Sequence, residues 1–166
     1  MTTRFVTSIV LAALLAGMSG ASAQIESRFS LQASAAQEMI SACEAFAGAQ
    51  GGAVNIWVVN LLGQPLGFAR MDGANPWTGD WAHMKAVTAV ETSNPSSSRI
   101  AQMERRGVTQ GTGMYYQLEH FPRAGGVPVM VDDKPIGAIG VEGLGPDQDE
   151  ACAEAGVAAI GHLFTN

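Results

Sequence analysis

The stretch GGVPVMVDDKPIGAIGVEGLG, residues 125–145, constrains the fold more than any other part of the chain. Valines and isoleucines alternate with small residues on both sides of an acidic centre, the pattern of two antiparallel strands joined by a tight turn. If that turn is Asp132-Asp133-Lys134, Val131 faces Pro135 and Val129 faces Gly137. Side chains alternate along a strand, so Val127, Val129, Val131, Ile139 and Val141 then share one face, read as core. A two-residue turn would slip the register by one and turn the valines of one strand away from that face. The opposite face pairs Met130 with Ile136, Pro128 with Ala138, Gly126 with Gly140 and Ala124 with Glu142, so it tapers to bare backbone beside one carboxylate. Glycine inside a strand weakens it and marks a place where another backbone or a ligand comes close. The small face is therefore read as an approach surface, open to a neighbouring helix, a second subunit or a ligand. Gly137, Gly140 and Gly143 fall on a strand rather than on a strand-to-helix turn, which does not make a dinucleotide fingerprint.

Residues 1–23 read as a secretory signal peptide, with Arg4, an apolar run from Phe5 to Ala16, and Ala21-Ser22-Ala23 as the cleavage site. The run is short of the roughly 20 residues that a spanning helix needs. Residues 24–166 are then a single domain, periplasmic or secreted, with no membrane attachment after cleavage. Fifteen acidic residues against nine basic ones give a formal net charge of −6 without a basic stripe, which argues against nucleic acid as a partner. Cys43 and Cys152 each lie on the apolar stripe of an expected helix. They form a disulfide if those helices are neighbours, and are two buried thiols otherwise.

After Ser30, residues Ala36, Met39, Ile40, Cys43, Phe46 and Ala47 recur at helical spacing. AVNIWVVN and PLGFARM read as a hairpin around LLGQ, DWAHMKAVTAVET as a short helix, 96–105 as another, and MYYQL as a short strand. A final helix starts at Gly145-Pro146-Asp147 and runs to about Phe164. Helices at both ends and five short strands, mostly in hairpins, make an α+β domain with a five-stranded antiparallel sheet flanked by helices.

MDGA at 71–74, KAVTA at 85–89, GGVPVMVDDKPIGAIGVEG at 125–143 and DQDEACAEAGVAAI at 147–160 resemble, in this order and spacing, the GlcG/HbpS-like family of haem-binding or haem-degrading proteins. The resemblance covers about residues 30–165. It implies a profilin-like arrangement of the sheet and its helices, assembly into a homo-oligomer, and haem or a related tetrapyrrole as ligand.

A haem site needs an axial ligand, an apolar slot and partners for the propionates. His83, Lys85, His120, Arg70 and Arg123 are the candidates, gathered over the backbone of Gly125-Gly126 with Glu142 beside them. Two further readings use the same residues differently. In a cofactor-free acid-base enzyme acting on a small oxygenated acid or aldehyde, Glu142 is the general base, Arg70 or Arg123 holds a carboxylate, and Lys85 polarises a carbonyl. In an accessory or structural module, the glycine face and Trp57, Trp77 and Trp81 build an oligomer. The three histidines and two cysteines have no zinc spacing.

Overall fold

The computed structural model describes residues 29–107 and 120–164. Helix α1, Ala33–Ala49, buries Ala35, Ala36, Met39, Ile40, Cys43 and Ala47, the three- and four-residue spacing of one helical face. Strand β1, Asn55–Asn60, and strand β2, Pro65–Arg70, form the first hairpin. The Asn60 Oδ1 accepts the N–H groups of Leu62 at 2.9 Å and Gln64 at 3.0 Å, so the side chain reinforces a turn that the backbone closes through Asn60 N–H to the Gln64 carbonyl and Gly63 N–H to the Asn60 carbonyl. A 3-10 turn at Pro76–Thr78 leads into helix α2, Gly79–Thr92, which ends where Ser93 takes a left-handed φ of 54°. Helix α3 is Ser98–Glu104. Strand β3, Gly126–Val131, strand β4, Lys134–Glu142, and helix α4, Pro146–Ala159, follow, with a last 3-10 turn at Gly161–Phe164.

The strands pair antiparallel in the order β2-β1-β4-β3. Helices α1 and α4 cover one face of this sheet and α2 covers the other. The main core lies under α1 and α4, where Ile56, Val58, Val129, Ile139 and Val141 meet Met39, Ile40, Cys152 and Ile160. On the other face, Val59 and Ala138 meet Ala86, Ala89 and Val90. That second layer is built from small side chains, so the α2 backbone lies very close to the sheet. Cys43 and Cys152 are both fully buried and form a disulfide that ties α1 to α4, which decides between the two alternatives for these cysteines.

Two expectations are corrected. The sheet has four strands among the described residues rather than five, and the MYYQL segment at 114–118 lies outside those residues. The second hairpin closes through a two-residue turn, Asp132-Asp133, with Val131 opposite Lys134 and Met130 opposite Pro135. Both aspartates have positive φ, 49° and 60°, as a tight hairpin turn whose twist matches the strands requires. The slip that such a turn imposes is undone by an irregularity between Val129 and Met130, beyond which Val129 faces Gly137 and Gly126 faces Gly140. The inner part of the hairpin therefore has the expected register, while Ile136 turns into the core with the valines.

Candidate functional site

The register of the sheet brings one row of residues together at the N-terminal end of β1. Asn55 faces Arg70 on one side and Glu142 on the other, and directly opposed residues in an antiparallel pair project to the same face. That face is the one under α2. Asn55 is fully buried and donates from Nδ2 to the Asn75 carbonyl at 2.9 Å and to Thr78 Oγ1 at 3.2 Å, which anchors the loop that launches α2.

Helix α2 then places Lys85, fully buried, against the end of β4. Its Nζ donates to the Val141 carbonyl at 2.7 Å and pairs with Glu142 Oε2 at 2.6 Å and Asp149 Oδ2 at 3.0 Å. Asp149 sits in the first turns of α4 and accepts through its Oδ1 the N–H groups of Gly143 at 3.0 Å and Leu144 at 2.9 Å. A single ammonium thus serves two carboxylates in a setting removed from water. Burial is the largest influence on Asp149 and raises its carboxyl above the ordinary 3.8, against the lowering effect of Lys85.

Gly125 and Gly126 touch this cluster with backbone alone. A Cβ on Gly125 would stand 2.7 Å from Lys85 Nζ and 2.9 Å from the Asp149 Cβ, and one on Gly126 would stand 2.2 Å from the Lys85 carbonyl oxygen. Gly140 is in the same position against α2, where a Cβ would lie 2.0 Å from the Ala82 carbonyl oxygen. What approaches the glycine face is therefore α2 of the same chain. Ser96 fixes the strand entrance by donating to the Arg123 carbonyl at 2.5 Å and accepting the Gly126 N–H at 2.9 Å.

The remaining candidates fall into two other places. His83 lies two residues before Lys85 on α2 and so on another side of the helix, with its ring 4.7 Å from that of Trp57. Trp57 in turn meets Phe68 at 4.8 Å, and Phe68 on β2 is 49% exposed. The His83 Nε2 stands 3.3 Å from the Gly63 carbonyl oxygen. Arg70 is exposed, two residues beyond Phe68 on the same strand. On the opposite flank His120 is held between Glu91 Oε2 at 2.7 Å and an Arg99 nitrogen at 3.2 Å. Arg123 lies over the Trp81 ring at 5.9 Å, and Trp81 packs on Phe121 at 5.8 Å.

The structure thus unites Lys85, Glu142, Gly125 and Gly126, sets Arg70 in the same row as Glu142 but beyond Asn55, and separates His83 from the pair His120 and Arg123. Sequence reasoning missed Asp149, Ser96 and Asn55. For Asp149 a signal existed, because an acid in the first turns after Gly145-Pro146 is placed to take the N–H groups of the preceding loop. No group of three or more His, Cys, Asp or Glu residues among the described residues is arranged to hold a metal ion. No helix among them is long and apolar enough to cross a membrane.

Known proteins share this architecture. The crystal structure of HbpS superimposes with a TM-score of 0.76 at 30% identity, covering 86% of this chain and 99% of that one. A PduOC:Heme complex shares the fold at a TM-score of 0.70 and 23% identity, over 80% of this chain and 96% of the other. A UPF0303 protein of Burkholderia pseudomallei (strain K96243) is 34% identical over 122 residues, 72% of this chain and 73% of its own length. Residues 31–158 match the family described as Haem degrading protein HbpS-like, and the chain belongs to that family.

Proposed function

We propose that this is an exported, oligomeric protein that binds haem or a closely related tetrapyrrole on the open face beside β2. The observation that carries the reading is the setting of His83. An imidazole that ligates iron commonly donates its other ring N–H to a backbone carbonyl, which fixes the tautomer and the ring plane. His83 has such a partner in the Gly63 carbonyl, and that arrangement leaves Nδ1 with its lone pair. Around it stand the three components that a haem site calls for: the ring, the apolar surface of Trp57 and Phe68, and Arg70 for a propionate. Arg70 is about 7 Å along the strand from Phe68, within reach of a porphyrin edge. His120 has both ring nitrogens engaged and is less suited to the axial role.

Family membership and the haem complex formed by PduOC support the same ligand class. Export is supported by the signal-peptide pattern of residues 1–23, outside the described residues, and by a buried disulfide, which an oxidising compartment maintains. Oligomerisation is supported by exposed apolar side chains, Trp77 at 86% and Leu62 at 78% among them.

Haemin titrated into the purified protein is expected to give a shifted Soret band that saturates at a stoichiometric ratio. His83→Ala should abolish the shift or displace its position while the far-ultraviolet dichroism stays that of the parent. A Soret band of unchanged position and affinity in the variant would remove His83 from the site, and no saturable band in the parent would remove haem.

A further inference from the structure

We infer that the cleft between the C-terminal end of α2 and α3 is a binding site for a small organic carboxylate. The cleft has a volume of about 380 Å³ and is lined by Thr92, Asn94, Ser98, Arg99, Gln102 and Arg105. That volume lies in the range of small-ligand sites, and every lining residue is polar, two of them cationic.

Arg99 is the reason to assign an anion. One of its terminal nitrogens donates to Gln102 Oε1, and the other faces His120 Nδ1 at 3.2 Å. Its Nε is buried and has no acceptor among the described residues. A guanidinium only donates, so His120 Nδ1 must accept, and the proton of that imidazole sits on Nε2, 2.7 Å from Glu91 Oε2. Glu91 therefore reaches Arg99 through a neutral imidazole rather than by direct pairing. Among the described residues the arginine has only neutral partners, so its charge stands uncompensated at the wall of the cleft.

A carboxylate fits what is missing. Its two oxygens match the donor fork of a guanidinium, and Arg105 offers a second charge from the cleft wall. The Ser98 hydroxyl lines the same space. The cleft borders the C-terminal turn of α2, while His83 lies near its start; the step of eight positions from His83 to Glu91 spans about 12 Å of helix. Two sources of the carboxylate follow: a free small acid, or a propionate of a tetrapyrrole bound to the same molecule. The first does not depend on haem binding.

The test follows the Arg99 Nε–H resonance of the purified protein by NMR while succinate, inorganic phosphate, haemin or haem dimethyl ester is added. Saturable movement with succinate, weakened about tenfold in Arg105→Gln, establishes a site for a free acid. Movement with haemin but not with succinate or with the dimethyl ester establishes a propionate site. Arg105 is exposed, so its replacement leaves the fold intact. Absence of movement with both succinate and haemin, or phosphate binding more tightly than succinate, overturns the assignment. The succinate arm separates this outcome from failure of the haem reading, which the Soret titration decides alone.

Discussion

Replacing Gly140 by alanine tests how closely α2 is pressed to the sheet. The added Cβ would stand 2.0 Å from the Ala82 carbonyl oxygen, 2.6 Å from the Ala86 nitrogen and 3.0 Å from the Ala86 Cβ. The two nearest atoms are backbone, so no side-chain rotation relieves the overlap, and either α2 lifts or β4 bends. Lifting α2 would also loosen Lys85 from Glu142 and Asp149, because the same helix carries it. Overpacking of this kind costs about 3 kcal/mol. For a domain of this size that is a fall of roughly 10 °C in Tm. Gly48 gives the control, since it lies in α1, exposed, with nothing within 4 Å of an added Cβ. Gly48→Ala should raise stability by about 0.5–1 kcal/mol through helix propensity and reduced backbone freedom. Urea unfolding followed by circular dichroism, with the disulfide intact in all three proteins, reads both effects. A Gly140→Ala midpoint within 1 kcal/mol of the parent would show that the helix yields easily and that close packing is not what the glycine provides. Gly126→Val belongs to the same experiment. Its added Cβ would stand only 2.2 Å from the Lys85 carbonyl oxygen, so it too is a test of folding.

The Cys43–Cys152 bridge spans 109 positions, and removing it as a Cys43→Ala, Cys152→Ala pair should lower stability by about 4–5 kcal/mol in the chain-entropy account; an unchanged urea midpoint would refute that account. Asp149 keeps its proton to higher pH in the folded chain than in the unfolded one. Its contribution is therefore complete below pH 3.8 and is lost as pH rises through the folded value, so Asp149→Asn should flatten the stability profile above pH 3.8. Urea midpoints that fall in parallel for parent and variant over that range would refute the cause.

The hairpin shows how far sequence reasoning reaches. The valine alternation fixed which residues share the core, but it could not reveal that two left-handed aspartates and a local irregularity reach the same inner register as a three-residue turn. Those two routes differ only next to the turn, where Ile136 changes face. Glu142 and Gly126 were legible as near neighbours because pairing along β3 and β4 is a property of local pattern. For Asp149 only the local cap on the preceding loop left a signal, since its place beside Lys85 depends on how α4 docks across the sheet end, a tertiary fact without a periodic trace. His83 and His120 looked equivalent in the sequence. They separate in the structure because they stand at opposite ends of α2 and find different partners there, a carbonyl for one and a carboxylate with an arginine for the other.

The contact of α2 with the glycine face also limits how the sequence can drift. On the helix side the touching residues include Ala82 and Ala86, and on the sheet side Gly126 and Gly140, so neither partner has a smaller residue to retreat to except the helix alanines, at a loss of helix propensity. A gain of volume at one of these positions cannot be offset by a loss at the other without weakening the helix. Change in this layer must therefore enter at its borders, at Trp57 and His83, where side chains rather than backbones meet. In homologues that keep the fold, variation and any divergence of ligand preference should gather along that rim, while the alanine and glycine seam beneath it stays fixed.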